Sequence, residues 1–183
     1  RSLVIDRQGS LWVGSYDGLN RLRVGSSQFE RMYSDPQVPG SLAGQTIIRL
    51  MLSGDGQVWL GTRQQGVAKI NPDGGIDYID VAFKQGDKLS QYFIVSLIQP
   101  NDDEIWLATY GGGIVVLDAQ SGALIRRIRH DPAAQGSISL DHVGALWLDA
   151  SGLIWVGTWG GGLNRFNPYN VAFRSLHYSQ IQT

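Results

Sequence analysis

The chain has no cysteine in its 183 residues. That excludes a disulfide framework and thiolate metal sites, and it fits an oxidising or a reducing compartment equally. Charge is sparse, at 17% of residues, and nearly balanced, with 15 basic residues against 16 acidic. No stripe of Lys and Arg is present, which argues against nucleic acid or an anionic membrane surface as partner. No apolar run approaches the roughly 18 residues of a membrane span, so no direct insertion into a bilayer is expected of this segment. The three histidines, His130, His142 and His177, are scattered. Without a His-x-x-x-His pair or a His-rich cluster, no metal site is expected. Nor is there an initiating methionine or a signal peptide: the chain opens at Arg1 and runs into the strand-like "LVID". It reads as a segment cut from something longer, with any targeting signal outside it.

Glycine, by contrast, is plentiful at 24 residues, and tryptophan at 6. Glycine-punctuated turns with few charges read as all-β, and no stretch carries a convincing helical period. The organising signal is an internal repeat. Trp12, Trp59, Trp106 and Trp155 are spaced by 47, 47 and 49 residues. Three residues before them stand Gly9, Gly56, Asp103 and Gly152, and two after them Gly14, Gly61, Ala108 and Gly157. Next come Ser15, Thr62, Thr109 and Thr158, then the hairpin glycines Gly18, Gly66, Gly113 and Gly162. Each unit has an apolar strand before the Trp strand, another after the hairpin and a last β-rich run, which makes four short strands.

Four-stranded units repeated at about 40–50 residues are the mark of β-propeller blades. The expected fold is four four-stranded antiparallel blades, at approximately 1–34, 46–82, 92–130 and 142–179. One sheet has two apolar faces and buries both only by stacking on neighbours. The Trp is placed between blades, and the small residue two positions on lets the next sheet approach. The connections also match: "DPQVPGSLAGQ" at 35–45 parallels "DPAAQGSISLD" at 131–141, with Leu42, Leu89 and Ile138 as an apolar plug between sheets.

The phrase "HDPAAQGSISLDHVGALWLDASGLIWVGTWGGGLNRFNP" at 130–168 resembles the two-component regulator propeller repeat, through "HDP", "GSIS", "GLIWVGT" and "GGGLNRF". The first unit matches at "DRQGSLWVGSYDGLNRL" and the second at "GQVWLGTRQQGVAKI"; the third departs, with Asp103 and Ala108 at glycine positions. The resemblance spans essentially the whole chain. It implies the periplasmic sensor region of a bacterial receptor whose coupling domain, transmembrane helix and output lie elsewhere. That output is a histidine kinase, a hybrid kinase or a diguanylate cyclase. Propellers of this family usually have more blades than four, so an arc of a larger propeller is expected. A tight four-bladed ring and a pairing of two chains are the other possibilities. An open arc exposes an apolar blade face at each end, through which self-association is expected.

No catalytic residue is expected. Asp141 and His142 are neighbours with Ser139 nearby, but adjacent residues of a strand point to opposite faces, so they are no ready-made triad. The glycine runs 111–113 and 160–162 lead into strands, not helix N-termini, and read as hairpins. The "D-x-x-G-x-x-W" turns at Asp6 and Asp149 resemble the Asp-box of sialidase-type propellers, itself a structural feature. A lyase of the streptogramin-inactivating kind needs a His and a Glu with a metal, and the two glutamates, Glu30 at a third-strand exit and Glu104 in a loop, argue against it. No cofactor is implied. A binding rim is the better candidate. Loops after the second strands present Tyr16, Arg63, Tyr110 and Trp159, flanked by Asp17, Gln64 and Gln65; the connections present Gln45, Gln91, Tyr92, Asp141 and His142. Aromatics with amides and an Arg on one rim suit a small molecule, a saccharide or a peptide. The other reading is that these aromatics shield neighbouring blades, leaving a scaffold that binds only protein. Arg49, in an inner strand where units three and four have Ser96 and Ala145, is placed towards a central channel.

Overall fold

The computed structural model describes residues 2–32, 42, 46–71, 75–134, 136–168 and 172–176. Sixteen strands among them form four antiparallel sheets of four. The first sheet is β1 (Ser2–Ile5), β2 (Leu11–Ser15), β3 (Gly18–Leu22) and β4 (Phe29–Met32), paired in that order. The second is β5 (Ile47–Leu52), β6 (Val58–Thr62), β7 (Val67–Ile70) and β8 (Ile76–Ile79). The third is β9 (Ile94–Ile98), β10 (Glu104–Thr109), β11 (Gly113–Asp118) and β12 (Leu124–Ile128). The fourth is β13 (Val143–Leu148), β14 (Ile154–Thr158), β15 (Gly162–Asn167) and β16 (Ala172–Leu176). A 3₁₀ turn at Leu89–Gln91 precedes β9. The chain divides into two compact units, Arg1–Ile94 and Val95–Thr183. Of the sequence-derived features, Gln45, His177 and most of the 35–45 connection lie outside the described residues.

In the first unit, Trp12 and Leu19 of one sheet bury with Ile47, Leu50, Leu60 and Ile70 of the next, and Leu42 joins them. In the second, Trp106, Ile114 and Val116 bury with Ile138, Leu146, Ile154 and Phe166. The indole of Trp106 and the ring of Phe166 lie 5.2 Å apart, a tilted pair. Close approach needs a missing side chain at Gly14, where a Cβ would stand 2.7 Å from Ile47 Cγ2. Serines on the innermost strands add a tie within each unit: Ser2 Oγ accepts from Leu50 N at 3.0 Å, and Ser96 Oγ from Leu146 N at 3.2 Å.

The hairpins are stapled alike in all four sheets. The hydroxyls of Ser15, Thr62, Thr109 and Thr158 donate to the carbonyls of Gly18, Gly66, Gly113 and Gly162 at 3.0, 2.8, 2.7 and 2.9 Å. Those glycines all have positive φ. At Gly113 a Cβ would also come within 2.2 Å of Ile128 O, so no other residue fits there.

The repeated tryptophans are held by the turns before them. Asp6 Oδ1 accepts from Gln8 N and Ser10 N, and its Oδ2 accepts from Trp12 Nε1 at 2.8 Å. Asp149 repeats this with Ser151, Leu153 and Trp155 Nε1 at 2.7 Å. A basic side chain then covers the indole from the neighbouring strand: Arg21 over Trp12, Lys69 over Trp59 and Arg165 over Trp155. The third sheet solves the problem differently. Pro100 stands at the Asp position and Val116 at the basic position, opposite Trp106. Glu104, expected in a loop, instead opens β10, and its Oε2 accepts from Trp106 Nε1 at 2.8 Å. Arg126, one strand further out, pairs bidentately with Glu104 at 2.6 and 2.9 Å and lies over the same indole. Glu30, likewise, lies on β4 rather than at a third-strand exit, paired with Arg23. The second sheet has Ser53 at the Asp position; its hydroxyl bonds Asp55 and the Gln57 carbonyl, and the buried Trp59 Nε1 has no hydrogen-bond partner.

Two predictions follow from this wiring. Ser53→Asp should restore an acceptor for Trp59 and raise stability by about 1 kcal/mol, whereas Asp6→Ala should lower it by about 2 kcal/mol by orphaning an indole and two amides; urea denaturation reads both. The carboxyl of Asp149 is held down to about 2 by the Ser151 hydroxyl first, then by the Trp155 indole and backbone amides. Its folded value lies below its unfolded one of about 3.9, so its stabilisation is full above about pH 4 and is lost as pH falls through about 2. The stability gap between wild type and Asp149→Asn should therefore narrow steadily as pH drops through that window; a constant gap would contradict the assignment.

Candidate functional site

The loops following β2, β6, β10 and β14 carry Tyr16, Arg63, Tyr110 and Trp159. Three of them touch the residue leading into the next innermost strand. The Thr46 hydroxyl donates to the Tyr16 carbonyl at 3.2 Å. The Arg63 guanidinium lies 4.9 Å from the Phe93 ring centre. Tyr110 forms a β-bridge with His142, and their rings meet edge-on at 4.7 Å. The backbone is tied here too: Arg63 N donates to Thr46 O at 3.2 Å and Trp159 N to His142 O at 2.8 Å.

In the second unit these contacts gather an aromatic cluster. Tyr110 and Trp159 are 47% and 67% exposed, with ring centres 6.4 Å apart, and exposed His142 lies beside Tyr110. The indole of Trp159 is seated on Gly144: a Cβ there would stand 2.5 Å from its Nε1. Gly144 falls where the pairing of β13 with β14 shifts register between Val143 and Ala145. Below the loop, the buried Asn164 amide accepts from Ser139 N and the Ser175 hydroxyl and donates to Ser139 Oγ, which bonds Thr158 Oγ1 at 3.0 Å. The "GSIS" and "LNRF" phrases thus meet under the loop that presents Trp159. Asp141 is occupied by Arg129, at 2.6 Å, and by His130 N, so its carboxylate does not serve His142.

The other rim candidates are spread over the first unit. Tyr16, Arg63 and Gln64 are exposed. Tyr92 is half-buried; its hydroxyl donates to Asp87 at 2.5 Å and its ring packs near Phe83. Arg49 is exposed on β5 opposite Gly61, at the position where β1 has Ser2 opposite Gly14. Among the described residues no group of His, Asp or Glu is arranged to hold a metal ion. Sequence reasoning missed Gly144, whose signal is a glycine in an otherwise apolar inner strand, and Trp147, 62% exposed on β13.

No protein-family description and no curated protein matches the chain. Among solved structures it is similar to the extracellular domain of BT4673, described as a hybrid two-component system of B. thetaiotaomicron, at 17% identity and a TM-score of 0.79 over 100% of this chain and 25% of that one. A second such extracellular domain, of BT3049 from the same organism, matches at 20% identity and a TM-score of 0.74, over 98% of this chain and 22% of that one. YCF48 from Cyanidioschyzon merolae matches at 18% identity and a TM-score of 0.61, over 93% of this chain and 51% of that one. The chain thus spans about a quarter of the two extracellular domains it matches. Among the described residues no helix is long and apolar enough to cross a membrane. The fold is that of β-propeller blades, and its solved likenesses include extracellular domains of two-component systems.

Proposed function

We propose that this chain is a non-catalytic ligand-sensing segment of a periplasmic sensor propeller, in a receptor whose kinase or cyclase output lies outside it. The observation that carries this is the exposed cluster of Tyr110, His142 and Trp159, seated on Gly144 and braced by Asn164. Two exposed rings on a rigid base offer a face on which a sugar ring or a peptide side chain stacks, with the imidazole as a polar neighbour. The likeness to extracellular two-component domains supports the same reading. Both glutamates being committed to arginines speaks against a lyase. The apolar residues exposed on β1 and β13, Leu3, Ile5 and Trp147, support a further role for these faces in packing against another blade or a second copy.

Calorimetric titration of the chain with oligosaccharide and peptide panels tests the rim. Trp159→Ala should weaken a bound ligand about tenfold, and Gly144→Val, which unseats the indole, should do the same without removing it. A ligand held equally well by wild type and both variants would refute the site.

A further inference from the structure

Within each unit two sheets pack through the same set of positions. One sheet gives a Trp side: Val4, Trp12, Gly14 and Leu19 in the first unit, and Ile98, Trp106, Ala108 and Ile114 in the second. The other gives a receiving side: Leu50, Val58, Leu60, Ile70 and Ile76 in the first unit, and Leu146, Ile154, Val156, Phe166 and Phe173 in the second. Counted from the repeated Trp, the two receiving sides are equivalent position by position, and their cross-strand pairs match.

Each half of this junction occurs once more, exposed. The outer face of the first sheet puts Leu3, Leu11, Val13, Leu22 and Phe29 at the five receiving positions, with the same cross-strand pairs. Leu3 is 67% and Phe29 50% exposed, and the other three are half-buried. The outer face of the fourth sheet puts Trp147, Trp155, Gly157 and Leu163 at the Trp-side positions. Trp147 is 62% exposed, and the other three are half-buried. Glycine inside a strand marks a close approach of another backbone. Gly14 meets that description, since a Cβ there would stand 2.7 Å from Ile47 Cγ2. At Gly157 a Cβ would meet only Ala145 Cβ, at an ordinary 3.7 Å, so nothing within the chain requires the glycine. Exposed apolar faces of this kind mark association sites.

We infer that the fourth sheet of one copy of this chain docks on the first sheet of a second copy, repeating the junction that each unit builds internally. This rests on the reading of the β1 and β13 faces as packing surfaces, and it fixes their occupant and their pairing. A second copy offers each exposed half the counterpart that the same positions meet within the units. Contact of a face with itself would set two receiving sides or two Trp sides together, which neither unit does. The contact is therefore heterologous. One tie of the internal junctions is missing from it. Ser2 and Ser96 accept from Leu50 N and Leu146 N, whereas Ala145 stands at the serine position of the fourth sheet and has no hydroxyl for Leu3 N.

Sedimentation equilibrium of the chain tests this. The mean mass should rise with concentration in the wild type. Leu3→Lys with Ile5→Lys blocks the receiving side, and Trp147→Lys blocks the Trp side. Each should weaken association at least about tenfold with the circular dichroism unchanged, because these side chains are exposed. The two blocked chains mixed should recover association and stop at a one-to-one pair, since each keeps the face that the other has lost. Ala145→Ser should tighten wild-type association about threefold by restoring the hydroxyl. Trp159→Ala should leave association unchanged, so a failure of the rim site and a failure of this contact are read separately. A mass that stays monomeric at every concentration, association surviving in either blocked chain alone, no recovery on mixing, or loss on Trp159→Ala would each overturn the assignment.

Discussion

A tryptophan buried between two sheets brings a hydrogen-bond donor with it, and the indole N–H has to find an acceptor that the sheets themselves, fully paired, cannot supply. The turn before the Trp strand meets this need in the first sheet and serves the half-buried Trp155 of the fourth in the same way. One aspartate there closes the turn with one oxygen and takes the indole with the other. The cation on the adjacent strand then covers the indole face and, in the first sheet, balances the carboxylate. Blade geometry, turn conformation and local charge are therefore one linked arrangement rather than three features.

How much of this is legible in the sequence depends on which interactions are local. The four-strand units, the hairpin glycines and the Trp positions are spaced regularly because each sits in a short antiparallel hairpin. Their period survives substitution at single positions. The hydroxyl that ends the Trp strand is equally regular, since it closes the hairpin onto a glycine three or four residues on. The third unit's solution is not legible in this way. Glu104 and Arg126 are 22 residues apart and meet only because β12 pairs back on β11. Its sequence looks merely divergent, when it has exchanged one acceptor and one cation for another pair.

The candidate rim shows the same division. Equivalent loops bring Tyr16, Arg63, Tyr110 and Trp159 to equivalent places, which a repeat alignment reveals. What seats Trp159 beside Tyr110 and His142 is the missing side chain at Gly144; the same register shift recurs in the second sheet between Ile47 and Arg49, where Ile48 takes that place. Tyr92 stands at a rim position in the sequence yet spends its hydroxyl on Asp87. Side-chain direction near a strand end is set by tertiary packing rather than by position in the repeat.

The third sheet's exchange has a consequence for how such a chain can change. Replacing the turn aspartate by proline orphans an indole unless a glutamate already stands two residues before the Trp. That glutamate in turn is poorly held without an arginine on the outer strand. Each step alone is destabilising and the set is not, so the order of substitutions is constrained. Paths that install the new acceptor before the old one is lost avoid that cost. The orphaned indole of Trp59, with Ser53 at the turn position and Gln57 at the place that Glu104 holds one blade on, is the state left when the old acceptor goes first.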